Sequence, residues 1–315
     1  GVSGAACVGR RDELRAVAAI VDDARPARLA IVAGDPGMGK STLLGEALRL
    51  FAEGWTVVRA APTAAEETAA WGTIRLLVTG GLAEHAAASG VDLGDDLLWA
   101  IGLSDAGHGD PTRATYAFAN AVGALAGRMR LLVVIDDAHS VDPASAAALT
   151  FASRSAGHWL IARRAGLSGG FAPGGPDFAD VVHVEVGPFE EHELALLAKH
   201  WSGRNWNAVE LTRLRELSGG NPLHARELVR AFPNSGELAA ARLPTGLNEL
   251  FGAKAAALAD AHLDVIAGAA LMRRPDLAQL YGAFADRGPA AVEDALAAAE
   301  ELGLLRVTGS AFEFD

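Results

Sequence analysis

One cysteine, three lysines and two tyrosines are all that 315 residues hold of these types, and each scarcity excludes something. Cys7 alone can form neither an internal disulfide nor a cysteine-based zinc site, which suits a reducing compartment and predicts a cytoplasmic protein. No uncharged apolar run reaches the ~18 residues that a membrane helix needs; residues 114–127 fall short and are interrupted by Asn120. The first residues carry Arg10 and Arg11 with no apolar stretch behind them, so no secretory signal is read there. Positive charge is in deficit too. Basic side chains number 27 against 39 acidic ones, and the net charge of −12 speaks against non-specific binding to phosphate backbones. Apolar residues, by contrast, make up 50% of the chain, enough for a large core, and the length exceeds a typical single domain of roughly 100–200 residues.

Residues 29–33 and 131–135 are short apolar runs rich in β-branched side chains, the pattern of strands buried on both faces of a parallel sheet. Residues 55–59, 159–162 and 181–186 read as further strands. Between them, Leu14, Val17, Ile20 and Val21 share one helical face, as do Leu44, Ala47, Leu48 and Phe51. Alternating strands and helices predict an α/β domain over residues 1–188, a parallel sheet with helices on both faces. Within it, 166–176 is rich in Gly and Pro and reads as a flexible surface loop. Beyond Pro188 the strands give way to three helical patterns, at 190–201, 208–217 and 222–232, predicting a small helical domain over 189–242. Ala-rich helices and a hairpin pattern at 304–314 then suggest a winged helix over 243–315.

Chemistry enters at Gly34-Asp35-Pro36-Gly37-Met38-Gly39-Lys40-Ser41-Thr42, which fits G-x-x-x-x-G-K-[ST] between a buried strand and an amphipathic helix. Its glycines let the backbone wrap a β-phosphate, with successive N–H groups and the helix N-terminus pointing at the anion. Lys40 would reach the β- and γ-phosphates, and Ser41 would ligate Mg²⁺. An ordinary Gly-rich turn needs no lysine, and this chain uses Arg almost everywhere else. The matching acid stands at the end of 131–135, where Asp136 would hold Mg²⁺ through water and Asp137 would polarise the attacking water. A lone turn Asp would have been unremarkable, but two adjacent carboxylates repel unless a cation lies between them. The Asn-Lys-x-Asp loop of guanine readers is absent, because Gly39, Ala198 and Ala253 precede the three lysines. Adenine is the expected base, and ATP or ADP with Mg²⁺ the expected ligand.

Two other patterns lead nowhere. Residues 166–170 match G-x-S-x-G, yet the following Phe-Ala-Pro-Gly-Gly-Pro cannot start the helix that a nucleophile elbow requires. The histidines lack zinc-ligand spacing, and His139 beside the acids reads as a solvated or capping residue. The winged-helix region from 244 to 315 carries five basic against eleven acidic residues, so it is expected to pack on protein and not on nucleic acid.

Four more stretches, taken with these two motifs, resemble the STAND class of AAA-related signalling ATPases, as in the large ATP-binding LuxR-family transcription regulators of actinobacteria. They are Val8-Gly9-Arg10-Arg11-Asp12-Glu13-Leu14, Asp136-Asp137-Ala138-His139-Ser140-Val141-Asp142, Leu160-Ile161-Ala162-Arg163-Arg164 and Ser218-Gly219-Gly220-Asn221-Pro222-Leu223. Ser140 replaces a usual Trp, and Arg11 an acid. The resemblance implies that Val8 and Gly9 pack on the adenine or bond its edge, that Arg10 takes the family's arginine position, and that Pro222 touches the base. Asn221-Pro222 is equally a good N-cap followed by Pro at the first helical position. The sensor arginine for the γ-phosphate falls to Arg163, with Arg164 as the alternative. The resemblance further implies a slowly hydrolysing switch, monomeric with ADP and self-associating with ATP, whose helical repeats and DNA reader lie beyond Asp315. Three alternatives share the P-loop: a small-molecule kinase, a ring-forming AAA+ remodelling ATPase using Arg154, Arg163 or Arg164 as a finger, and a scaffold that binds nucleotide without hydrolysing it.

Overall fold

A computed structural model of the chain describes residues 8–21, 27–105, 110–154, 156–167, 169–173, 181–234, 236, 238, 258, 260–270, 277–285, 287–302, 304–308 and 311–314. Two compact units emerge, one of residues 1–215 and 219–233, the other of 216–218 and 234–315.

In chain order the first unit runs α1 (Arg11–Val21), β1 (Ala27–Gly34), α2 (Lys40–Phe51), β2 (Thr56–Ala60), α3 (Ala64–Thr68), α4 (Gly72–Leu77), α5 (Ala83–Ala88), α6 (Asp95–Ala100), α7 (Pro111–Ala126), β3 (Leu131–Ile135), α8 (Pro143–Ser153), β4 (Gly157–Arg164), β5 (Val181–Glu185), α9 (Glu191–Ser202), α10 (Ala208–Ser218) and α11 (Pro222–Ala231). The five strands form one parallel sheet in the order β2-β3-β4-β1-β5. Every residue of β3 is buried, which is why its sequence shows no polar alternation. Alternate side chains feed two cores. Leu29, Ile31, Val133, Ile135 and Ile161 face α4, α7 and α8, while Ala30, Val32, Leu132, Val134, Leu160 and Ala162 face α1 and α2. The wholly buried Leu43 and Leu44 hold α2 to the second core, each contributing about 2 kcal/mol by removing a leucine side chain from water.

The order of strands positions the site. The chain leaves β1 for the far edge at β2, so the carboxyl end of β1 opens beside that of β4, with β3 next along. Ligands of open α/β sheets bind at such a point, outside the carboxyl ends of the strands.

A single buried carboxylate ties the helices after β2 to the sheet. Asp142, fully buried, caps α8 by accepting from the Ser145 N–H at 2.9 Å. It also accepts from the N–H groups of Trp71 at 2.8 Å and Thr73 at 3.1 Å. Trp71 reaches it in the left-handed region, at φ 64°.

The Gly/Pro-rich stretch after β4 departs from expectation. Phe171 is fully buried against Trp159, ring centroids 6.2 Å apart, and its N–H donates to the Ala138 carbonyl at 2.8 Å. Composition alone hid one anchoring aromatic among residues that favour loops. Ser168 and residues 174–180 lie outside the described residues. At Gly170 (φ 62°) a Cβ would stand 2.3 Å from the Ala138 carbonyl oxygen and 2.6 Å from that of His139. Gly170→Ala is therefore expected to unseat Phe171 and destabilise the unit by about 3 kcal/mol, through left-handed strain and loss of the aromatic's burial. Urea unfolding checks this, with Gly169→Ala, which meets open space, as the comparison.

Helices α9 and α11, and α10 as far as Arg215, belong to the same compact unit as the sheet. A capping box at Asn207 and Glu210 starts α10, and Arg204 grips the buried Glu210 through two bonds of 3.0 and 3.2 Å. In the second unit, α12 (Asp260–Ala270), α13 (Leu277–Ala283) and α14 (Pro289–Glu301) precede an antiparallel hairpin of β6 (Leu305–Thr308) and β7 (Ala311–Phe314). Val265, Ile266, Leu280, Val292, Leu296 and Leu305 form its core. Residues 244–257, expected to hold the first Ala-rich helix, lie outside the described residues. Among the described residues no helix is long and apolar enough to cross a membrane.

Candidate nucleotide-binding site

The loop from Gly34 to Gly39 leads straight from β1 into α2 and turns through Gly37 at φ 78° and Gly39 at φ 87°. No side chain caps the first turn of α2, so its N–H groups and helix dipole remain available to an anion. Ser41 and Thr42 sit exposed in that turn. Lys40 folds back over the loop, and its Nζ donates to the carbonyls of Gly34 at 3.0 Å and Asp35 at 2.9 Å. Burial pushes its pKa below the ordinary lysine value; Asp137 and Asp136 pull it up again, and Arg164 adds to the depression. The ammonium is thus set among groups that already respond to its charge.

Across from the loop, Asp136 leaves β3 buried, one carboxylate oxygen accepting from the Asp137 N–H at 3.1 Å and the other from Arg59 at 3.3 Å. Asp137 turns sharply at φ 51°, a conformation that a non-glycine residue adopts at some cost, and its side chain stays half-exposed in the cleft. His139, 3.8 Å from that carboxylate, is pushed down by burial, with Asp137 acting in the opposite sense. Its side chain is mostly buried, which disfavours the solvated half of the expectation of a solvated or capping residue.

The two candidate sensor arginines part company on the alternation of β4. Arg163 lies on the side of Trp159 and Ile161, and its guanidinium donates to the Leu167 carbonyl. Arg164 falls on the side of Leu160 and Ala162, which also carries α2, and lines the cleft. Of the two arginines expected as candidates, Arg164 is the one that lines the cleft.

The far wall comes from α9 and α11. Phe189, Leu197 and Trp201 make an apolar slot closed by Pro222 and Leu223, in a cleft of about 530 Å³. Arg10 is buried beneath it, with its guanidinium 4.0 Å from the Phe189 ring and 2.6 Å from the Gly187 carbonyl. Val8 and Gly9 do not line this cleft; Gly9 (φ 77°) is instead packed so tightly on Glu193 that a Cβ would overlap its carboxylate. Asn221 joins the two walls. Its Oδ1 caps α11 through the Leu223 N–H, and its Nδ2 donates to the Pro36 carbonyl at 2.9 Å. A Cβ on Gly37 would meet the same amide at 2.8 Å, so the loop glycine serves this contact as well as the turn.

Sequence reading missed Phe189, Leu197, His200, Trp201, Leu223 and Arg226, all of which line the cleft. The amphipathic spacing that revealed α9 made its Leu and Trp look like core. Arg226 was detectable in principle, four residues beyond Pro222 on the same helix face. Its Nε is buried without a hydrogen-bond partner, 3.7 Å from Glu227. Among the described residues no group of three or more His, Cys, Asp or Glu could hold a metal. A hydroxyl at Ser41 and a carboxylate at Asp136 are hard oxygen donors that fit Mg²⁺, with phosphate oxygens needed to complete its shell.

Comparison with known proteins agrees with this geometry. The AAA ATPase domain family matches residues 6–161, a span that holds the P-loop and both acids. No curated protein matches the chain. Solved structures found similar to the chain include a Walker-type ATPase of Pyrococcus abyssi, at 13% identity and TM-score 0.47, covering 98% of this chain and 93% of that one. Cdc6p of Pyrobaculum aerophilum follows at 12%, 0.46, 97% and 89%, and a variant of RuvB from Thermotoga maritima at 14%, 0.40, 97% and 90%. The family match together with the P-loop and the paired acids makes residues 6–161 an AAA ATPase domain, and the protein an ATPase.

Proposed function

We propose that the chain is a slowly hydrolysing ATP/ADP switch of the STAND type, working within a cytoplasmic transcription regulator. The observation that carries this reading is the Asn221 amide bonded to Pro36, because it makes the helical wall sense the loop that would hold the phosphates. Lys40 and the first turn of α2 would bind the β- and γ-phosphates, and Arg164 and Arg226 would meet the outer charge. The base would lie in the slot of Phe189, Leu197, Trp201 and Pro222 over Arg10. Ser41 and Asp136 would hold Mg²⁺, which would neutralise charge on the β- and γ-oxygens. Asp137 would orient a water for in-line attack on the γ-phosphorus and accept its hydrogen bond.

A γ-phosphate that contacts Arg164 and Arg226 together can bias the two walls toward one arrangement, the requirement for a switch. The three described helices and the hairpin of the second unit follow the order expected of a winged helix, and the acidic balance of residues 244–315 supports a protein-facing role. Native mass measurement tests the reading. A monomer with ADP that self-associates with ATP is expected; a stable hexamer in both states would point to remodelling instead. Asp137→Asn is expected to retain nucleotide binding and lose at least about a hundredfold in single-turnover hydrolysis, the usual scale for a misplaced base. Equal, measurable rates would remove Asp137 from the water-orienting role.

A further inference from the structure

Arg59 has no part in the proposed switch, yet its guanidinium contacts the Mg²⁺ acid Asp136. It sits on β2, an edge strand, between the buried Val58 and Ala60. Alternation puts it on the face of Val57, and Asp136 on the face of Leu132 and Val134; both are the α2 face. The registered pairing of Ala60 with Ile135, continued by the Asp136 N–H donating to the Ala60 carbonyl at 2.9 Å, brings the two side chains together. The guanidinium meets Oδ2 at 3.3 Å, while Oδ1 is taken by the Asp137 N–H. Oδ2 is thus the carboxylate oxygen that Arg59 holds, while the backbone bond falls to Oδ1.

We propose that Arg59 is a built-in counter-ion for Asp136 that yields when Mg²⁺ arrives with the nucleotide. Burial makes an unpaired Asp136 carboxylate costly, so the arginine supports the metal-free state. Its side chain is 46% exposed against 6% for Asp136. A long, half-exposed side chain on an edge strand can swing into water cheaply, whereas the buried acid stays. A guanidinium and a divalent cation on one carboxylate repel, and the divalent ion has the greater charge density. Arg59 is a positioning residue: it sets how much Mg²⁺ the site demands, without touching nucleotide. The inference rests on the nucleotide reading, and the test separates the two.

The experiment titrates Mg²⁺ into ADP-saturated protein by calorimetry, for the parent chain, Arg59→Gln and Arg59→Lys, alongside ADP titrations in EDTA. ADP affinity in EDTA is expected to be the same in all three, with Mg²⁺ binding tightened roughly fivefold in Arg59→Gln, the scale of removing one nearby like charge at a half-exposed site. Arg59→Lys should lie between, and the difference should shrink at high salt. Thermal unfolding without ligand is expected to fall in Arg59→Gln and to recover on adding Mg²⁺ and ADP. Unchanged or weakened Mg²⁺ binding in a folded Arg59→Gln protein would overturn the proposal. Absence of any ADP binding in the parent chain would instead overturn the nucleotide reading.

Discussion

Lys40→Ala is expected to lower ATP turnover by about a hundredfold to a thousandfold, the range for losing one preorganised charge at a reacting phosphate. The structure explains why no neighbour can stand in. Arg164 and Arg226 line the same cleft, but only Lys40 springs from the first turn of α2 and is held on the Gly34 and Asp35 carbonyls at 3.0 and 2.9 Å. In the variant the Asp35 carbonyl would lose this donor and the Gly34 carbonyl would keep only the Ala165 N–H, so the loop would lose its inner tie. Lys40→Arg is expected to fail almost as fully, since a planar fork cannot occupy the compact site of an ammonium. Steady-state phosphate release checks turnover, and a thermal-shift titration with ADP checks binding. ADP stabilisation equal to that of the parent chain would remove Lys40 from the phosphate site.

Asp142→Ala is expected to have the largest effect on stability, a loss of about 4 kcal/mol, because three N–H groups would be orphaned around one buried position. The Trp71, Thr73 and Ser145 amides all donate to its carboxylate at 2.8 to 3.1 Å. Charged acceptors make the stronger bonds, so Asp142→Asn is expected to recover only part of the loss, its NH₂ facing N–H groups where an oxygen should be. Urea unfolding followed by circular dichroism measures both. An Asp142→Ala midpoint within error of the parent would mean that the α4 entry is held by something else.

The parts of the molecule that were legible in sequence are those written in contiguous residues. The P-loop, the tandem acids and the strand and helix that flank each could be read because phosphate wrapping demands a fixed spacing over a few positions. Five strands were recognisable, though the observed ends shift by one or two residues, since hydrogen-bond pairing and not hydropathy decides where a strand stops. Asp142 followed by Pro143 could be read as a helix cap, but its grip on Trp71 depends on a partner about 70 residues away that no local pattern announces. The Gly/Pro composition around Phe171 misled for a similar reason, one buried ring outweighing ten loop-forming neighbours. That Arg164 and not Arg163 lines the cleft follows from the period of two along β4, which the resemblance by itself did not resolve.

Assembly of the cleft also has a timetable. Its oldest wall is β1 with the P-loop, and its youngest is Asn221, 185 positions further along the chain. At roughly 5–20 residues per second, a ribosome needs about ten to forty seconds to deliver the second after the first. For most of that interval β1 has neither lateral neighbour, because β4 and β5, which flank it, begin only at Gly157 and Val181. A nascent chain of this protein therefore carries an apolar strand with two bare edges, and β1, an interior strand of the finished sheet, is a natural place for a chaperone to wait.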